Sequence, residues 1–193
     1  MSEWWTYSLS DFLMFSPQAY WRLVARYNAA WWPGQLAGVA AALAVVALLR
    51  VQRSRIVLPM LAIAWAWVGG AFHWQRYTEI FPAAQWLAAA ALAQALLLAL
   101  MALLPREERP QAPAAFPLAL AALACAWPLL APVTGHPWSE AEVFGFMPEP
   151  TALLTVAALL ALRDQPTWRR VVAGVLPAAS LLLGAATRWL IAQ

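Results

Sequence analysis

Two short polar stretches hold most of the residues in this 193-residue chain that could do chemistry. The first is Trp65-Ala-Trp-Val-Gly-Gly-Ala-Phe-His73-Trp-Gln-Arg76-Tyr77-Thr-Glu79-Ile-Phe-Pro82, which sets one of the two histidines near an arginine, a tyrosine and a glutamate. The second runs from His136 through Glu140 and Glu142 to Glu149, which lies between Pro148 and Pro150 and is followed by Thr151 and Thr155. Imidazole and carboxylate groups can relay protons or bind a divalent metal. The spacing carries no metal signature, and two interfacial loops with internal hydrogen bonds would use the same residue types. No metal and no cofactor is therefore predicted. Glu149 stands at a helix start, where the dipole favours a carboxylate without any function. It also stands at the mouth of the shortest apolar run, and short or broken helices often mark transport sites.

The segments that must position these groups are nearly free of charge. The chain is 64% hydrophobic and 11% charged, against about 45–50% and about 25% in a soluble domain. The excess is gathered in long runs, which places the chain in the membrane class. All twelve basic residues are arginine and lie between the runs, so no nucleic-acid patch is expected. With no lysine there is no Schiff-base or P-loop chemistry. The single cysteine, Cys125, excludes an intrachain disulfide and reads as a small buried hydrophobe. Nothing matches a nucleophile elbow, a P-loop, a zincin helix or a dinucleotide fingerprint, so an enzyme is not the favoured reading.

Six apolar runs are placed at roughly 33–49, 56–74, 82–104, 113–131, 150–162 and 170–190. A helix needs about 20 residues to cross about 30 Å. The fifth run has only about 13, or roughly 20 Å of helix. Either the segment Phe144–Pro150 dips into the membrane, or this helix is short and shielded by protein. Strands of a membrane barrel would alternate polar and apolar residues, so helices are expected. No self-similarity links the two halves.

Residues 1–32 precede the first run. Ser8 and Asp11 have capping-box spacing, and Ser16-Pro17 is a second helix start. From there Tyr20, Leu23, Val24, Tyr27 and Trp31 share one helical face, with Arg22 and Arg26 on another. Such a helix either lies in the membrane interface, where Trp4, Trp5, Trp21, Trp31 and Trp32 fit, or packs over the bundle. Pro33-Gly34 then redirects the chain. Met-Ser-Glu-Trp-Trp lacks a basic n-region, so a cleavable signal peptide is not expected and the first spanning helix acts as targeting signal.

Eight arginines fall in the loops after the first, third and fifth runs, and four (Arg22, Arg26, Arg76 and Arg188) on the other side. This asymmetry predicts cytoplasmic arginine-rich loops and both termini outside. His73, Arg76, Tyr77, Glu79, His136, Glu149 and Thr151 then share the non-cytoplasmic side as a candidate vestibule, with His73 and Glu149 expected in one polar pocket. Glu140 is expected to be solvated. Candidate partners for Glu149 are Arg76, His73, Arg188 and the amides at the start of its own helix. Gln94, the strongly polar residue near the middle of a run, reads as a hydrogen bond to a neighbouring helix or a pore-lining group. In the last run Ala173, Pro177, Ser180, Gly184 and Thr187 form a small-residue seam for packing in the bundle or for a dimer, and Arg188 can snorkel outward.

Three stretches carry a resemblance: Tyr27-Asn28-Ala-Ala-Trp31-Trp-Pro33-Gly-Gln35; Trp65-Ala-Trp-Val-Gly69 with His73 and Phe81-Pro82-Ala83-Ala84; and Phe144-Gly145 with Pro148-Glu149-Pro150-Thr151. Together they resemble a family of bacterial six-helix integral membrane proteins of unknown function, sometimes given a generic permease label. The resemblance implies a six-helix membrane protein and no activity. It also implies a cysteine more often than a glutamate between the two prolines, so Glu149 departs from the pattern and a thiol or metal role there is not expected.

The resulting expectation is an all-α, polytopic membrane helix bundle. Six transmembrane helices (33–193, one domain) follow an N-terminal interfacial amphipathic helix (1–32). The protein is expected in the bacterial inner membrane, with the lipid bilayer as partner and a membrane protein or a second copy as possible others. Small-solute or ion transport is the favoured function. The alternative is a non-catalytic accessory subunit or assembly factor, which the seam and the thirteen tryptophans also fit.

Overall fold

The computed structural model describes residues 15–105 and 114–191, and every regular element among them is helical. In chain order these are α1 (Pro17–Trp31), α2 (Gly34–Arg50), α3 (Ser54–Trp67), α4 (Ala84–Leu103), α5 (Ala115–Ala126), α6 (Leu130–Val133), α7 (Pro148–Ala161) and α8 (Thr167–Ile191). Helix α3 runs straight into a π-helical segment, Val68–Trp74, and a 3₁₀ turn joins α5 to α6. Trp4, Trp5, Ser8, Asp11, Arg106 and Arg109 lie outside the described residues.

Helix α1 starts where Ser16 predicts: the Ser16 hydroxyl accepts from the Ala19 amide at 3.2 Å, and Pro17 takes the first turn. Its apolar face (Tyr20, Leu23, Val24, Tyr27) is buried against Phe72, Tyr77, Ala84 and Met147. Between the two placements read from the sequence, this face is turned to protein. Trp21 lies against the His136 ring, Trp31 meets Trp67 edge-on, and Trp32 is exposed. At Pro33 the chain bends by 90° into α2.

Four stretches are long and apolar enough to cross a membrane: Ser54–Glu79, Ala84–Leu103, Ala115–Val133 and Thr167–Leu190. The bent pair α1–α2 makes a fifth if taken as one span. The six expected spans are not reached, because α2 has 17 residues and α7 has 14. For α7 the reason is plain from its packing. Of its 14 residues 12 are buried, against α8, α5, α3 and α2. Its run is apolar because protein surrounds it, so its length is not set by lipid. The segment before it is likewise protein-shielded, with Phe144 in the core rather than at an interface.

Three connections meet at one end of the bundle. Gln52, at φ 53°, donates to the carbonyls of Leu49 and Ala161 and accepts from the Arg163 amide. Ser54 donates to Asp164. Arg169 donates to the Pro105 carbonyl at 2.8 Å. The connections after α2, α4 and α7, which carry the clustered arginines, are thus gathered together. The loops holding His73, His136 and Glu149 are at the other end.

Candidate functional site

Glu149 is placed by a segment held from three directions. The Asn28 amide of α1 donates to the carbonyls of Ser139 and Ala141 at 2.8 and 2.9 Å. Gln35 at the start of α2 holds Asn28 in turn, donating to its carbonyl at 2.9 Å. Gly38 lets α2 press on the same segment: a Cβ there would come within 2.6 Å of the Phe144 carbonyl oxygen. Gly145 takes φ 79°, a left-handed conformation suited to glycine. Its amide donates to the Thr151 hydroxyl at 2.8 Å, which itself donates to the Met147 carbonyl at 2.7 Å. Pro148 then opens α7, with Glu149 in its first turn.

His73 is placed by the π-helical end of α3. The wider winding (Gln75 N–H to Gly70 O, 3.2 Å) rotates the last residues relative to an α-helical continuation. Gly69 permits contact with α4, since a Cβ there would lie 3.1 Å from the Ala88 carbonyl. The rotation buries Phe72 and His73 and leaves Trp74 exposed.

The two residues line one cavity of about 240 Å³. Its floor has Trp65, whose indole donates to the Thr155 hydroxyl at 2.9 Å. Aromatic rings of Phe72, Tyr77 and Phe81 form one wall. Between α4 and α8 it is lined by Ala90, Ala179 and Leu183. Leu183 is 53% exposed, so the cavity reaches the apolar outer surface between these two helices. Glu149 is 7% exposed and His73 5%, yet Glu149 Oε2 and His73 Nδ1 have no hydrogen-bond partner among the described residues. Gly184 of α8 makes the room for the carboxylate, for a Cβ at that position would be 2.6 Å from Glu149 Oε1.

Of the other vestibule candidates only Tyr77 shares this cavity. Arg76 and Glu79 pair with each other at 3.3 Å in a separate, exposed cleft beside Arg22 and Arg26. His136 pairs with Glu140 at 2.7 Å, so Glu140 is a half-buried partner rather than a solvated charge. Thr151 is buried and spent on the loop bonds given above. Of the partners expected for Glu149, Arg76 is held by Glu79 and Arg188 by Glu142. At the helix start Pro148 and Pro150 remove two of the first four amide donors, and the Glu149 carboxyl accepts from its own backbone amide.

Glu142 is a buried carboxylate outside the vestibule expected from the sequence. It is 4% exposed; its Oε2 accepts from Trp127 Nε1 at 2.9 Å and from Arg188, whose guanidinium lies 5.6 Å from the Trp127 ring centroid. The signal for it in the sequence is the lone arginine near the end of an apolar helix, which needs a counter-charge.

Gln94 donates to the Ala173 carbonyl at 2.9 Å. That carbonyl is four residues before Pro177, which has no N–H to give it. Gln94 therefore replaces a helical hydrogen bond that Pro177 removes. Ala173, Pro177 and Gly184 are buried against the bundle, with Ser180 and Thr187 half-buried and lining the cavity.

Over residues 17–187 the chain matches a family of unknown function (DUF6064), and it belongs to that family. No curated protein and no solved structure matches it.

Proposed function

We propose that this member of a family of unknown function is a polytopic protein of the bacterial inner membrane that binds and moves a small solute through its non-cytoplasmic vestibule. One observation carries the reading: Glu149 and His73, each with a buried polar atom that has no protein partner among the described residues (Oε2 and Nδ1), line the same cavity. Buried polar groups are nearly always hydrogen-bonded; other buried atoms in the chain also lack a partner, Gln35 Oε1 and Gln94 Oε1 among them, but Glu149 and His73 are the two such residues that line this cavity together. Deeper in the bundle the Trp65 indole and the Thr155 hydroxyl have partners within the chain, and the Gln94 amide donates to the Ala173 carbonyl while its own oxygen stays unpaired. That favours a binding step at the vestibule over a standing ion path.

In this reading the six apolar segments all belong to the membrane. The sheathed α7 and the bent α1–α2 pair fill the places that their length alone would not. The arginine-rich end faces the cytoplasm and both termini face outward. A cysteine at Val51, which is 61% exposed, tests the orientation in a Cys125→Ala background. Labelling by a membrane-impermeant maleimide is expected after lysis only, and labelling in intact cells reverses the topology.

Flux in reconstituted vesicles tests the function. The wild type should pass a solute from a panel of amines, acids and neutral compounds faster than empty vesicles, and Glu149→Gln should abolish the gain. Retention of a stoichiometric protein partner in mild detergent, with no flux for any solute, would overturn transport in favour of an accessory-subunit role.

A further inference from the structure

We propose that the solute site between α4 and α8 takes an amphipathic primary or secondary ammonium compound, its charged head at Glu149 and His73 and its apolar body toward the outer surface. This rests on the reading of the cavity as a solute site and goes beyond it by naming the ligand class.

Three features point the same way. The first is charge. Glu149 is buried with no ion pair of its own among the described residues: the nearby guanidinium of Arg188 is bonded to Glu142 and is shared between the two carboxyl groups only through its field. A carboxylate withdrawn from water is costly unless it meets a positive group and a hydrogen-bond donor. An ammonium head supplies both. The second is donor count. Glu149 Oε2 is an unpaired acceptor, His73 Nδ1 is an unpaired ring nitrogen that accepts when the proton sits on Nε2, and a primary ammonium carries three N–H donors. A quaternary ammonium carries none and would leave both unpaired. The third is the rest of the lining. The faces of Trp65, Phe72 and Tyr77 suit a cation beside an aromatic ring. Leu183, half exposed, and Ala179 carry the lining out to the apolar surface between the helices, where hydrocarbon is at home. A carboxylate-headed amphiphile would meet Glu149 with like charge, and a sugar or other polyol would leave its hydroxyls against the apolar side.

The test uses the full chain in nanodiscs of zwitterionic lipid and three probes of equal chain length: n-octylammonium, n-octanol and n-octanoate. Binding is followed by tryptophan fluorescence, to which Trp65 reports from the cavity floor. Octylammonium should bind at least tenfold more tightly than either other probe. Glu149→Gln should remove that preference, and Leu183→Trp, which fills the outer part of the cavity, should weaken binding of octylammonium at least tenfold. The second variant keeps the test decisive if Glu149→Gln does not fold. Octanol binding as tightly as octylammonium, with Glu149→Gln indifferent, would overturn the ammonium assignment and leave a neutral-solute vestibule standing. Octylammonium binding that survives Leu183→Trp unchanged would show partition into lipid only and overturn the proposal. No binding of any probe, with flux of another solute still dependent on Glu149, would overturn it while sparing the transport reading.

Discussion

Glu142 and Glu149 stand seven residues apart, both buried and both beside α8, and they are treated in opposite ways. Glu142 receives the Trp127 indole and the Arg188 guanidinium, in a space with room for about one water molecule. Glu149 receives a glycine, Gly184, and a cavity. The first arrangement is a cross-link: it ties the 133–147 loop and the end of α5 to the end of α8. Each carboxyl keeps one oxygen unpaired (Glu142 Oε1 and Glu149 Oε2), but of the two residues only Glu149 lines the larger cavity. It is the cavity of about 240 Å³ beside Glu149, against about 20 Å³ beside Glu142, that makes the Glu149 carboxyl read as a site.

The largest effect should come from breaking the cross-link. Arg188→Met leaves Glu142 buried beside Trp127 with no counter-charge. Severing a fully buried pair costs about 3–5 kcal/mol. A third of the Arg188 side chain is exposed, and solvent screening brings the expected loss to about 2–3 kcal/mol. Thermal unfolding in mild detergent checks it. A melting point unchanged from wild type would mean that the two carboxylates are not distinguished by pairing at all.

Gln94 sharpens the contrast through the one bond its amide donates. Gln94→Leu strands the Ala173 carbonyl and should cost about 1–3 kcal/mol, the penalty for a buried acceptor left without a donor. If the bond stands in for the one that Pro177 removes, Pro177→Ala restores a backbone donor to that carbonyl. Adding it to Gln94→Leu should then recover most of the loss. Additive losses in the double variant would break the link between the proline and the glutamine.

Much of this arrangement is legible in the sequence. The helix start at Ser16-Pro17, the turn at Pro33-Gly34, and the grouping of the arginine-rich loops follow from local chemistry and charge asymmetry. Counting runs is enough to put His73 and Glu149 on one side. Long-range pairing is not legible in this way. Asn28 and Gln35 give no sign that they hold residues 139–141, over a hundred positions away. The π-helical turn at Val68–Trp74 is invisible to a periodicity argument, which assumes an α-helix to the end of the run. Six spans are expected because an apolar run reports burial without saying whether lipid or protein does the burying, and in α7 it is protein.

Gly184→Ala should have a smaller effect, of about 1 kcal/mol, the low end of overpacking a tight site. The added methyl lands within 2.6 Å of Glu149 Oε1, and the carboxylate is free to give way only toward the cavity. Glu149→Ala in the same chain should cancel the cost, because the atoms it removes are the ones in collision. A Gly184→Ala penalty that persists without the carboxylate would mean that the glycine serves helix packing rather than Glu149.

The smallest effect on stability is expected from Glu149→Gln, and it is the one that separates the two carboxylates most cleanly. The substitution keeps the shape of the side chain, so the fit against Gly184 is retained. The direct partner of Arg188 is Glu142, so the substitution breaks no hydrogen-bonded ion pair shown among the described residues. The amide it introduces brings an N–H donor to a wall whose other unpaired group, His73 Nδ1, can accept. The melting temperature should therefore stay within the shift of about 0.5 kcal/mol typical of neutral substitutions, or rise. The same change at Glu142 removes the charge that Arg188 and Trp127 are built around, and should lower it. Unfolding both variants side by side decides the matter. Equal losses would place Glu149 with Glu142 as a structural carboxylate and end the argument for a site. A stable Glu149→Gln protein without solute flux would mean that the charge is kept for something outside the fold.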